Sequence, residues 1–287
     1  MSAAAPIRWS VVVPTKDRPA QICRLLDALT RLDPAPGSFE VIVVDDGSEQ
    51  PYADRILEFA GLLDLRLEQQ VNRGPAAARN TGLRASRGTW IAFTDDDCAP
   101  APGWLMALDR CAAAHPDALL GGRCINVLAD NDWSAASELI AESAEVATNF
   151  VTSNNAAAAR QRLVDIGGFD EAFDGPAGED RALAAAFVAA GGAIVRCPDA
   201  VVRHAHQLDL RGFWRQHQRF GRAAAALDDD AADARRMSAS DRARMLRTAW
   251  RSGGAGLSAR VVLSQAAVAV GVTRATVTRA LDHVRQP

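Results

Sequence analysis

Three consecutive acids, Asp95-Asp96-Asp97, close an apolar run that begins at Trp90. The run, Trp90-Ile91-Ala92-Phe93-Thr94, reads as a buried parallel strand, because it is apolar without alternation. In open α/β sheets the carboxyl ends of strands are where ligands bind. Side chains of an extended chain alternate, so Asp95 and Asp97 share a side and Asp96 faces away. Three adjacent carboxylates repel, and a hard divalent cation with oxygen ligands offsets that cost. A helix cap or a solvated acidic turn is the alternative reading. A second acidic pair, Asp45-Asp46, ends the run Glu40-Val41-Ile42-Val43-Val44. Acids at two strand ends point to one shared site. A third pair, Glu179-Asp180, follows Gly178 and precedes a helical pattern, where the helix dipole favours acids. His204 and His206 stand two apart on an extended segment and can face one side.

The elements that must position these residues alternate. Ser10-Val11-Val12-Val13-Pro14, a β-branched run ended by proline, is a first buried strand, and Thr15-Lys16-Asp17-Arg18-Pro19 a polar turn. Pro19 opens a helix through about Arg31. A second helix spans Tyr52 to Ala60, a third strand Leu65 to Gln70, and an Ala-rich helix Ala76 to Ser86 follows Asn72-Arg73-Gly74-Pro75. This order predicts a parallel α/β sheet with right-handed crossovers. Further on, Trp104 to His115 is a helix and Ala118 to Val127 a strand. Asp130 to Asn149 is expected to be a loop or irregular helix, and Phe150 to Ala159 to return to the sheet. Ala193 to Arg196 and Ala200 to Arg203 read as two short strands, and Leu210 to Leu227 as a helix. Asp228-Asp229-Asp230 repeats the composition of the first triplet but follows a helix and sits among alanines, which makes it a solvated connector. Helices at Asp241 to Trp250 and Leu257 to Val284 form a C-terminal appendage, so the expected division is 1–227 and 228–287.

The 287 residues carry 48% hydrophobic and 23% charged side chains and a formal net charge of −3. Those values describe an ordinary globular chain and argue against nucleic acid as a partner. The five cysteines are scattered and odd in number, so neither a zinc site nor a disulfide framework is expected, in keeping with a reducing cytoplasm. No apolar stretch reaches the roughly 18 residues of a spanning helix. Val261 to Val272 comes nearest, and its apolar face makes peripheral membrane contact a further expectation.

In order along the chain stand Val11-Val12-Val13-Pro14-Thr15, Val43-Val44-Asp45-Asp46-Gly47-Ser48, Asn72-Arg73-Gly74 with Ala78-Arg79-Asn80-Thr81-Gly82, Phe93-Thr94-Asp95-Asp96-Asp97, Gly167-Gly168-Phe169-Asp170 and Gly178-Glu179-Asp180. Together they resemble the inverting family 2 glycosyltransferases of the GT-A fold, over about residues 8 to 220. The resemblance implies a Rossmann-like, mostly parallel sheet flanked by helices. It implies transfer from a nucleotide-diphosphosugar to a glycan, lipid-linked or small-molecule acceptor hydroxyl, with Mn²⁺ or Mg²⁺. By that resemblance Asp97 is the metal ligand, with Asp95 or Asp96 on the ribose or a metal-bound water and His204 as a further ligand. Pro14, Thr15, Asp45 and Asp46 line the nucleoside pocket, with Asp46 favoured for the base. Gly74, Arg79 and Asn80 belong to the donor cleft. Asp180 is the base, and Glu179 orients the acceptor or tunes it. Gln216-His217-Gln218-Arg219-Phe220 approaches the Q-x-x-R-W motif, with Phe for Trp, and gives Arg219 to the diphosphate. Asn155 and Trp133 are weaker acceptor-side candidates. Competing readings are a non-catalytic sugar-nucleotide-binding protein and a nucleotidyltransferase. The latter wants a glycine-rich loop after the first strand, where this chain has none.

Overall fold

Apolar runs with no polar alternation give three parallel strands: β1 (Trp9–Thr15), β2 (Phe39–Asp46) and β4 (Trp90–Thr94). Val11, Val12, Val13, Val41, Val43, Ile91 and Phe93 are all fully buried, as strands covered on both faces require. The computed structural model describes residues 7–33, 38–128, 130–173, 177–226 and 237–285. The clusters Pro34 to Gly37 and Asp228 to Asp230, read from the sequence as a breaker and a connector, lie outside the described residues.

The sheet also contains β3 (Asp64–Gln70), β5 (Cys98–Pro100), β6 (Ala118–Asn126), β7 (Asn155–Ala159) and β8 (Ala193–His204). Its order is β3-β2-β1-β4-β7-β6-β8-β5. The first four neighbours pair parallel, and β7 turns antiparallel against both β4 and β6. Around it lie α1 (Pro19–Leu29), α2 (Ala53–Leu57) with a 3₁₀ turn at Glu58–Gly61, α3 (Pro75–Ala85), α4 (Trp104–Ala114), α6 (Arg160–Asp165) and α7 (Glu179–Ala189). The alanines of α3 serve packing. It lies so close to the sheet that a Cβ on Gly82 would sit 2.3 Å from Val12 Cγ1.

Three expectations are corrected. Asp132–Thr148 is a regular helix, α5, which Asn131 caps by accepting from the N–H groups of Trp133 and Ser134, both at 3.0 Å. The two strands read at 193–203 are one, β8. Cys111 and Cys197 form a disulfide, because α4 packs against β8 and brings together two cysteines 86 residues apart. Sequence spacing does not show that juxtaposition.

The elements group into two compact units, Met1–Ile125 with Val151–Ala205, and Asn126–Phe150 with His206–Pro287. The division therefore differs from the one expected at 227/228. The second unit holds α5, α8 (Leu210–Ala226) and α9 (Ala239–Arg285), the last kinked at Gly253–Gly254. Phe213, Met245, Ala249 and Val261 form its core with Ala136 and Ile140.

At the amino end of β2, Glu40 is fully buried. Burial alone would raise its pKa. Hydrogen bonds from Ser10, the Arg87 N–H, Arg66 and the Arg87 side chain outweigh it and hold the carboxyl at about 2. A depressed folded pKa adds stability above the unfolded value near 4.5, lost as pH falls toward 2. Glu40→Ala is expected to cost roughly 2–4 kcal/mol, since it removes the buried acceptor shared by Ser10, Arg66 and Arg87. Urea unfolding at neutral pH measures it, and the difference from wild type should shrink below pH 4.5.

Candidate functional site

The carboxyl ends of β2, β1 and β4 stand side by side in the sheet, and each ends in a polar turn. After β1, Asp17 takes a left-handed φ of 54°, which a short polar side chain tolerates. Its N–H donates to Ser48 Oγ at 2.9 Å and its carboxylate accepts from the Glu49 N–H at 2.7 Å. These bonds tie the turn after β1 to the turn after β2. Asp45 Oδ1 accepts from the Ser48 N–H and hydroxyl at 3.1 and 2.5 Å. Tyr52 OH lies 3.1 Å from Ser48 Oγ and 3.2 Å from Thr15 Oγ1. Pro14 leads into this corner from β1, half-buried.

Asp46 has a different use. Its Oδ1 accepts from Gln70 Nε2 at 2.8 Å and the Arg73 N–H at 2.9 Å, and its Oδ2 from the Gly74 N–H at 2.9 Å. It therefore anchors the turn into α3. Gly74 there has a φ of 88°, which glycine adopts without steric cost.

The three acids after β4 diverge. Asp95 turns to α3 and accepts from Arg79 at 2.8 Å. Asp96 is buried and turns to β1, accepting from Thr15 Oγ1 at 2.8 Å and Arg18 at 2.9 Å. Burial pushes its pKa up to about 6 against the pull of Arg18, with the Asp97 charge adding to the rise. Asp97 turns the other way. The chain leaves it into β5, whose Cys98 pairs with His204 of β8, and the Ala205 N–H donates to the Asp97 carbonyl at 3.0 Å. That register sets His204 Nε2 3.3 Å from Asp97 Oδ1.

Arg79 joins two acidic groups. It is buried on α3 and reaches Asp95 on one side and Glu179, at 3.2 Å, on the other. Glu179 and Asp180 open α7. Burial, the largest influence, raises both carboxyls above their usual range. The Asp180 charge pushes Glu179 further up, while Arg79 pulls both down. Asp180 is held by the side chain and backbone of Ser153, and its Oδ1 is buried with no hydrogen-bond donor among the described residues.

Other expected residues hold the frame. Asn80 donates to the Phe169 carbonyl and accepts from its N–H, both at 2.8 Å. It thus clamps the Gly167–Asp170 turn, where a Cβ on Gly168 would sit 2.4 Å from Asn80 Oδ1. Asn155, expected on the acceptor side, is buried. It accepts from Trp104 Nε1 at 2.8 Å and donates to the carbonyls of Arg123 and Ala200 at 3.1 and 2.9 Å. Trp133 packs on Phe213 in the second unit. Arg219 lies in that unit as well, exposed on α8. The sequence reading missed Arg18, Tyr52 and Ser153. Tyr52 had a signal, as the chain's single tyrosine four residues after Ser48, and Arg18 sits in the first polar turn. Ser153 had none.

A model of glycosyl transferase family 2 matches residues 10–167. A pre-mycofactocin glycosyltransferase of Mycobacterium tuberculosis is 31% identical over 231 residues, covering 76% of this chain and 47% of that one. Chondroitin synthase of Escherichia coli is 29% identical over 211 residues, with 60% and 31% covered. The chain thus spans about half the length of the first of these relatives and about a third of the second. Among solved structures, a mannosyltransferase of Pyrobaculum calidifontis in complex with GDP-Man and Mn²⁺ superposes with a TM-score of 0.67 at 21% identity, covering 94% of this chain and 87% of that one. TarS of Staphylococcus aureus in complex with UDP-GlcNAc gives 0.57 at 20% identity, with 79% and 69% covered. At these identities the superpositions establish the shared GT-A-type fold.

Proposed function

The chain belongs to glycosyl transferase family 2, and from that premise we propose that it transfers a sugar from a nucleotide-diphosphosugar to an acceptor hydroxyl, with inversion and with a divalent metal. The observation that carries the proposal is the Asp95–Arg79–Glu179 bridge. It ties the acidic strand end, suited to a metal-bound diphosphate, to the acidic pair suited to a base, within one unit of the fold.

The donor set fits a metal. Asp97 and His204 offer an oxygen and a nitrogen 3.3 Å apart, a mixed pair that suits Mn²⁺ at least as well as Mg²⁺. A bound ion would act as a Lewis acid on the diphosphate oxygens and stabilise the charge left when the sugar departs. His206, two residues after His204, is a further candidate ligand.

The nucleoside is assigned to the corner of Pro14, Thr15, Asp45 and Tyr52. Asp46 is withdrawn from base recognition, since the turn into α3 uses both its oxygens. Asp96 points to that corner through Thr15, so it takes the ribose side, and Asp95 takes the link to Arg79. Asp180 accepts the proton of the acceptor hydroxyl, and Ser153 holds it in place. Glu179, paired with Arg79 and pushed up to about 8 by burial and by the Asp180 charge, orients the acceptor beside Asp180.

A thermal-shift panel tests this reading. One of UDP-, GDP- or dTDP-sugars with Mn²⁺ is expected to raise the melting temperature by several degrees, and excess chelator to abolish most of the rise. No shift with any of them would contradict the donor assignment.

A further inference from the structure

The second unit carries a segregated charge and an uncovered apolar helix, and the chemistry above uses neither. Acids dominate α5 and the residues beside it, whereas from 210 to 285 the chain has fourteen arginines against six aspartates, a local net +8 in a unit whose total is only +2. The helices order this charge. On α8, Arg211, Arg215, Arg219 and Arg222 recur at spacings of four, four and three and are all exposed, so they form one stripe. The opposite side, with Phe213, His217 and Gly221, is buried. On α9, Arg244, Arg247 and Arg251 recur at three and four, also exposed. Among the described residues only Arg244 of these seven meets a carboxylate, that of Asp241 at 3.8 Å. Burial first, then the neighbouring Arg222 and Arg215, disfavour the charge on Arg219.

An aromatic and an apolar surface adjoin the arginines. Trp250 is 64% exposed. With Leu246, Arg247, Arg251 and Ser258 it lines a hollow beside the kink at Gly253–Gly254. Contrary to the expectation that no apolar stretch is long enough, an 18-residue window within Ala239–Thr278 is apolar enough to cross a membrane, yet only 22% of it is buried. Val262 and Val277 point outward.

We propose that the helical unit docks on the surface of an anionic bilayer. Arginines of α8 and α9 meet the lipid phosphates, while Trp250 and the apolar face of α9 reach the headgroup–acyl boundary. Clustered cations beside an aromatic, amphipathic helix suit that boundary. Lying in the interface is favoured over spanning. A Cβ on Gly221 would stand 2.1 Å from the Val268 carbonyl oxygen, and one on Gly271 would stand 2.2 Å from that of Gln218. The two helices are therefore packed backbone to backbone, and α9 cannot cross the hydrocarbon without drawing in the arginines of α8, where charge is expensive. The proposal stands whether or not the first unit transfers sugar.

Co-sedimentation of the full chain with phosphatidylcholine vesicles, with and without about 30% phosphatidylglycerol, tests it. Binding is expected on the anionic vesicles, weaker by at least about tenfold on the neutral ones, and reduced by salt. The combined variant Arg244→Gln, Arg247→Gln, Arg251→Gln should lose most of the binding, and Trp250→Ala a severalfold share. A second pair, Arg215→Gln with Arg222→Gln, is read in the same assay, and circular dichroism melts confirm that each variant folds. Four results would overturn the proposal: no binding to either vesicle, equal binding to both, wild-type binding by the folded arginine variants, or displacement of the vesicles by duplex DNA. A salt-resistant dimer that the same substitutions dissociate would assign the face to a second copy instead.

Discussion

Asp180→Asn is expected to lower transfer by roughly 10²–10⁴-fold, the usual contribution of a positioned general base. Donor binding should change little beside the loss of transfer. The substitution keeps the shape and the bond to Ser153 and removes only the ability to accept a proton. It also removes one of two adjacent buried acids, so the folded protein should be at least as stable as wild type near neutral pH. Release of nucleoside diphosphate from the donor selected by thermal shift, over a panel of acceptors, reads the loss. The pH profile gives a second readout. Burial raises the carboxyls of both Glu179 and Asp180, and a base works only when ionised. Wild-type kcat/KM should therefore climb with pH through a range above that of an ordinary carboxylate. The apparent value belongs to the pair rather than to either residue. A folded Asp180→Asn protein with full activity would remove the base assignment.

Asp97→Ala acts at the other end of the site. It removes the carboxylate beside His204 and should weaken metal-dependent donor binding by at least about 100-fold, the upper end of what even outer-shell changes cost a metal site. The fold should tolerate it. Asp97 sits beside Asp95 and Asp96, and its charge adds to the raised pKa of Asp96, so its loss relieves repulsion there. The melting temperature of the metal-free variant should match or exceed that of wild type, and only the rise caused by donor with Mn²⁺ should vanish.

The core of this arrangement was legible in the chain. Strands β1, β2 and β4 are short runs of valine, isoleucine and phenylalanine that end in polar turns, and strand-to-helix alternation placed those ends on one edge. The acidic pairs were visible because like charges are rarely adjacent at a buried strand end without an offset. Long-range pairing was not legible. Cys98 pairs with His204 more than a hundred residues away, and the same kind of juxtaposition joins Cys111 to Cys197. Nor could periodicity tell which acid serves structure. Asp45 and Asp46 are chemically identical neighbours, and only the Gly74 turn claims one of them. Asn80 and Asn155 look like cleft residues by type, yet each is used up by backbone and side-chain groups that the fold brings close. The regularity of α5 is not legible, because many of its apolar positions are alanine, which leaves a weak periodic signal.

The central claim is that Asp97 and His204 hold a divalent ion that the donor needs. Titration calorimetry of the selected nucleoside diphosphate into wild-type protein and into Asp97→Ala, each with Mn²⁺ and with excess chelator, measures it directly. Tight binding is expected to wild type with Mn²⁺ alone, and weak binding in the other three titrations. Equal affinity of the wild type with Mn²⁺ and with chelator would contradict it.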